Sequence, residues 1–127
     1  MAVNVLSVGQ CDYDHSSISR LLTQRFNATV QPAHTAAEAL QLVAGQRFEL
    51  VLVNRLLDWD GSEGLEILRQ IRERHGAAAP PVMLVSNLAD AQAASIAAGG
   101  VPGFGKNALH TPQTLELLQP YLAPGSA

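Results

Sequence analysis

Leu50-Val51-Leu52-Val53-Asn54, followed by the loop Arg55-Leu56-Leu57-Asp58-Trp59-Asp60-Gly61, is the stretch whose reading decides the fold. Successive large aliphatic residues between polar neighbours are the pattern of a strand buried on both faces, and such strands lie in the interior of a parallel sheet. Asn54 then falls where the strand opens into a loop, at the carboxyl edge where open α/β sheets gather ligands and chemistry. A carboxylate there can act as a nucleophile. A carboxamide cannot.

The chain around this stretch has 127 residues, enough for one domain with its own core and too few for two of ordinary size. Residues 1–123 are expected to form that domain and residues 124–127 a tail, with fraying from Ala123 onward. Apolar residues make up 47% and charged residues 15%, a balance that argues against a disordered or membrane-embedded chain. No apolar run approaches the roughly 18 residues that span a bilayer, and the N-terminus lacks a charged secretion signal. A cytoplasmic location follows as the expectation, and a lone cysteine, Cys11, fits a reducing compartment. A net charge of -3 with scattered arginines gives no footprint for nucleic acid. Only Arg69, Arg72 and Arg74 cluster, near a helix end where cations are favourable anyway.

Strand and helix signals alternate five times, which predicts a parallel sheet with helices on both faces. The strands are expected at 3–8, 28–33, 50–54, 82–85 and, weakly, around Gly103-Phe104-Gly105. Pro32 marks the second strand as an edge. Asp14 is the expected N-cap of helix one, which turns Ile18, Leu21, Leu22 and Phe26 inward and stops at Asn27. Thr35 and Glu38 have capping-box spacing for helix two, with Ala36, Leu40 and Val43 inward and Gly45 ending it. Asp60 and Glu63 are spaced to cap helix three, whose core face carries Leu65, Leu68 and Ile71 and which ends near Gly76. Asn87 is the expected cap of the alanine-rich helix four. Thr111 followed by Pro112 starts helix five, with Leu115, Leu118 and Leu122 inward and Pro120 loosening its last turn.

Right-handed crossovers bring the carboxyl ends of strands one, three, four and five to one edge. Gathered there are Gly9, Gln10, Cys11 and Asp12, then Asn54 and Arg55, then Ser86, and finally Lys106, the only lysine. With these residues in place, the chain resembles the receiver domain of bacterial two-component response regulators. The resemblance rests on residues 5–8 (VLSV), 33–40 (AHTAAEAL), 50–54 (LVLVN), 64–71 (GLEILRQI), 81–86 (PVMLVS) and 97–106 (AAGGVPGFGK). It implies a single-domain, doubly wound flavodoxin-like fold, a five-stranded parallel sheet of order 2-1-3-4-5 with five helices.

In that family an acidic pair after strand one holds Mg²⁺ and an Asp after strand three accepts phosphate. A Ser or Thr after strand four and a Lys after strand five contact the phosphoryl group. Magnesium requires hard oxygen ligands, and an acyl phosphate requires a carboxylate nucleophile. Ser86 and Lys106 match. The acidic pair falls on Gly9 and Gln10, and the phosphoacceptor position on Asn54. Shifting the pair to Asp12 and Asp14 would need a two-residue deletion in helix one, since Leu21 and Leu22 keep the family's distance from Gln10. The aromatic switch position falls on Gly103, with Phe104 on the opposite strand face, and Asn107 stands where the family has proline.

The resemblance therefore implies a degenerate receiver, a phosphorylation-independent module that binds and does not catalyse, with no metal and no cofactor. Its expected partner is another signalling protein or a second copy, met on the face of helix four, strand five and helix five. Two competing readings stay open: a receiver phosphorylated on Asp58 or Asp12, and a small-ligand sensor using the same pocket. Arg55 is expected to lend a fixed charge to the metal position by pairing with Asp12 or Asp58, the plainer reading being a solvated arginine. Lys106 is expected to donate to Asn54 or to a backbone carbonyl. Cys11 reads as small and partly buried. The four histidines read as surface residues, and Trp59 as a lid over the pocket or a partner contact.

Overall fold

The computed structural model describes residues 3–123. In chain order the elements are β1 (Val3–Val8), α1 (Asp12–Phe26), β2 (Ala28–Ala33), α2 (Ala36–Gly45), β3 (Leu50–Asn54), α3 (Gly64–His75), β4 (Val82–Val85), α4 (Ala89–Ala97), β5 (Val101–Phe104) and α5 (Pro112–Leu122). Short 3-10 turns occupy Gly76–Ala78 and Lys106–Ala108. The strands pair in parallel in the order β2-β1-β3-β4-β5. This is the doubly wound flavodoxin-like order, with the strand-order reversal beside β1 and β3.

The central position of β3 explains its aliphatic run. Leu50 and Leu52 enter the layer beneath α1 and α5, with Ile18, Leu22, Met83, Leu118 and Leu122. Val51 and Val53 enter the opposite layer beneath α2 and α3, with Leu6, Leu40, Ile67, Leu68 and Ile71. Alternate side chains of one strand thus serve two cores. Each fully buried aliphatic side chain contributes about 1.5–3 kcal/mol. Pro32 sits on β2 at the sheet edge, where the missing N–H leaves no interior ladder unpaired.

Several element ends and faces differ from the sequence expectation. Helix α1 begins at Asp12 with Cys11 as its N-cap, so Asp14 lies inside the first turn and its carboxylate is used elsewhere. Helix α3 has Glu63 as N-cap without a side-chain bond, while the Asp60 carboxylate accepts from the Ser62 N–H and hydroxyl. Leu65 is only partly buried and looks toward α4; Ile67 takes the inner position. Leu88, not Asn87, is the N-cap position of α4. Leu115 is likewise half-buried, because Thr114 turns inward and donates its hydroxyl to the Ala108 carbonyl. Thr35 and Thr111 cap α2 and α5 as expected, and α5 continues through Pro120 to Leu122. The tail at 124–127 lies outside the described residues.

Candidate functional site

The carboxyl edge divides into two halves. In the half formed by β1 and β3, the loop after β3 folds back and seals the strand ends. Leu57 N–H donates to the Ser62 carbonyl, Gly61 N–H to the Leu57 carbonyl, and Asp58 N–H to the Gly9 carbonyl at 2.9 Å. These bonds press the buried Leu57 onto Gly9. Gly9 has φ +76°, and a Cβ there would collide with the Leu57 Cγ and lie 2.9 Å from its Cδ1. Both the conformation and the space exclude a side chain. Asn54 closes the remaining gap: its Nδ2 donates to the Gly9 carbonyl at 3.2 Å and its Oδ1 accepts from the Arg55 N–H at 3.0 Å. Gln10 is 5% exposed, and neither amide atom has a partner among the described residues.

A divalent cation does not fit this half. Mg²⁺ needs anionic or carbonyl oxygens in near-octahedral array. The positions that would supply carboxylates hold a glycine with no room for a Cβ and a buried amide, and Asn54 already occupies the Gly9 carbonyl. No three His, Cys, Asp or Glu side chains come together as a metal-binding group among the described residues.

The Asp14 carboxylate, on the first turn of α1, is committed to the lysine. Lys106 Nζ lies 2.6 Å from Asp14 Oδ2, and Cys11 Sγ donates to the same oxygen at 3.2 Å. Burial raises the Asp14 pKa, but the hydrogen bonds from Lys106 and Cys11 and the ammonium charge outweigh it, leaving the carboxyl below its ordinary value. Lys106 therefore donates to Asp14, not to Asn54 or a backbone carbonyl. Asp14 sits in the first turn of α1 and reaches Lys106 beyond the end of β5, a pairing that its place near a helix start does not signal.

The second half, between β3 and β4, stays open. Asn54, Arg55, Leu56, Ser86, Asn87 and Leu88 line a cleft of about 390 Å³, with Lys106 at its margin. Its rear is held by Gln92 of α4, a residue that the alanine-rich pattern of the helix concealed. Gln92 Nε2 donates to the carbonyls of Leu84 and Ser86, and its Oε1 accepts from Gly103 N–H at 3.0 Å. One carboxamide thus fastens α4 to both β4 and β5, across the irregular register between Met83 and Val85. Gly103 is required here too. A Cβ would strike the Leu84 carbonyl and lie 3.0 Å from Gln92 Oε1. Phe104, on the other strand face, is buried in the α1/α5 core.

The remaining candidates fall into place around these halves. Arg55 is exposed and makes no ion pair with Asp12 or Asp58 among the described residues, which corrects the charge-substitute expectation. Asp12 and Asp58 are exposed. Trp59 is 71% exposed, leans on the His34 ring at a centroid distance of 5.7 Å and does not line the β3/β4 cleft, so of its two expected roles the lid is not seen there and the partner contact stays open. His15 and His75 are half-buried, not surface residues. Burial lowers the His15 pKa, His34 lowers it further, and Asp12 opposes. Cys11 is half-buried, as expected.

The architecture defines the class: this is the receiver-domain fold of two-component response regulators. A response regulator receiver protein from Pseudomonas putida superimposes with a TM-score of 0.76 at 21% identity, over 94% of this chain and 98% of that one. The signal receiver domain of a DNA binding response regulator from Colwellia psychrerythraea gives 0.75 at 19% identity, over 92% and 96%. NtrX from Brucella abortus gives 0.77 at 20% identity, covering 98% of this chain but only 27% of the longer protein. At these identities the likeness is one of fold. No protein-family model matches the sequence, and a comparison with curated proteins finds no match. No helix among the described residues is long and apolar enough to cross a membrane.

Proposed function

We propose that this chain is a receiver-fold interaction module of two-component type whose output does not depend on aspartyl phosphorylation. It binds a partner protein in the cytoplasm and catalyses nothing. The observation that carries the reading is the Asn54 Nδ2 bond to the Gly9 carbonyl. By resemblance, an amide stands where the family has its nucleophilic carboxylate, and its donor is spent on a backbone carbonyl of the loop after β1.

The Gln92 clip supports a second element of the proposal. With α4, β4 and β5 joined by one side chain, and no room at Gly103 for a ring that moves with occupancy, the α4–β5–α5 face is a fixed surface. Leu88 and Ile96, 52% and 48% exposed, give it apolar contact points. Another signalling protein or a second copy of this chain docks there.

Backbone NMR with Mg²⁺ and beryllofluoride, together with intact mass after incubation with acetyl phosphate, tests this. The expected result is an unchanged spectrum and an unchanged mass. Shifts spreading from Ser86 and Lys106 into α4, or a hydroxylamine-labile phosphate on Asp58 or Asp12, would overturn it. A bound partner whose contacts map only to α2 and α3 would reject the proposed face.

A further inference from the structure

The only tryptophan of the chain, Trp59, is 71% exposed, although the loop that carries it is tightly built. Leu56 and Glu63 form an antiparallel bridge, the Leu57 N–H donates to the Ser62 carbonyl, and the Gly61 N–H donates to the Leu57 carbonyl. The Asp60 carboxylate takes the Ser62 N–H and hydroxyl. Trp59 therefore stands at the tip of a closed turn with one ring resting on His34, and little of its freedom remains to be lost on binding. The same loop exposes three carboxylates, Asp58, Asp60 and Glu63, against the single guanidinium of Arg55.

At the opposite end of β3, where α2 leads into β3, residues 78–81 lead into β4 and α5 finishes, lies a groove of about 650 Å³. Pro80, Pro81, Pro120 and Tyr121 give it an apolar lining, with the buried Phe48. Its presented charge is Arg47, whose side chain is 91% exposed; Glu49, 3.5 Å away, is only 23% exposed and accepts the Asn4 N–H. Pyrrolidine and phenol faces suit an indole, and a guanidinium suits a carboxylate. We infer that Trp59 of one copy of this chain seats in this groove of a second copy, with Asp58 and Asp60 facing Arg47. Knob and groove occupy opposite ends of one strand, so the contact is heterologous and association extends head to tail. The unlike charges of the two ends set its polarity. This contact is separate from the α4–β5–α5 face and does not rest on the docking reading.

Because Trp59 is the only tryptophan, its fluorescence reports the contact directly. Raising the protein from micromolar to near-millimolar concentration should move the emission to the blue and raise the sedimentation coefficient beyond that of a dimer. Both effects should weaken at high salt. Trp59→Ser removes the knob, and Arg47→Glu combined with Ala78→Glu, two exposed positions on the groove, blocks the other side. Each variant should self-associate about tenfold more weakly or worse, with unchanged circular dichroism. The decisive arm mixes the two: the groove variant then holds the only tryptophan and the knob variant the only intact groove. A blue shift and a complex that stops at two chains are expected. No shift in the mixture, a native chain that stays monomeric, or association that survives both sets of substitutions would overturn the head-to-tail contact. A native dimer that closes at two chains with Trp59 still in water would overturn it as well, and would leave the α4–β5–α5 face standing.

Discussion

The β1/β3 half and the β3/β4 half of the carboxyl edge share one sheet and are built differently. In the first, Asn54 Nδ2 and the Asp58 N–H both turn onto the Gly9 carbonyl, Leu57 packs over Gly9, and the Gln10 amide is buried beside them. In the second, the side chains of Asn54, Ser86 and Asn87 each accept a backbone N–H, and a cleft stays open beside Leu56 and Leu88. Two parts of one sheet edge thus differ in what they present: the first is filled by the protein's own side chains, whereas the second keeps a cleft.

The sharpest way to break this contrast is to force the closed half open. Gly9→Asp places a Cβ on Leu57 at a positive φ, and a loss of about 3 kcal/mol or more in urea unfolding is expected, without Mg²⁺-dependent shifts. A stable variant that binds Mg²⁺ would show that the half is closed only incidentally. Gln92→Ala probes the clip behind Ser86. It strands the Gly103 N–H and two partly served carbonyls, so a loss of about 2 kcal/mol is expected, with faster amide exchange at Gly103. Unchanged exchange would mean that the clip does not hold α4.

Lys106→Met should cost about 1 kcal/mol or less, because the Lys106–Asp14 pair is partly exposed. The NMR titration of Asp14 should move upward in this variant. In the native chain the lowered Asp14 pKa makes its contribution complete above the unfolded value of about 3.9 and removes it as pH falls through the folded one. The smallest effect concerns His15. Its pKa is lowered by burial, so the unfolded chain takes up a proton near pH 6.5 before the folded one does. Stability should be full above about 6.5 and decline as the pH falls below it. His15→Gln should flatten that decline; an identical slope in the variant would place its origin elsewhere.

Much of the fold was legible because its signals are long and redundant. The aliphatic run of β3, the five-fold alternation and the two threonine caps each point to the same architecture. The closed half was legible only as a set of missing groups at Gly9, Gln10 and Asn54. What replaced them was hidden, since the Leu57 contact and the Asn54–Gly9 bond join residues far apart in the chain. Asp14, Asp60 and Asn87 were misassigned as caps because a short polar side chain near a helix start has several possible partners. Distant neighbours decided two of them, Lys106 for Asp14 and Asn107 for Asn87, and a local turn decided the third, Ser62 for Asp60. Leu65 and Leu115 were misplaced because a wide apolar stripe leaves its edge residues undetermined until the neighbouring element is known.

The glycine at position 9 makes residues 9 and 57 a matched pair. A side chain at residue 9 demands that Leu57 move and that the backbone leave its left-handed conformation at the same time. Asn54→Asp, by contrast, exchanges one terminal group and adds no bulk. An engineer wishing to build a carboxylate cluster on this edge would therefore have to begin with the loop that carries Leu57 and only then turn to the strand ends.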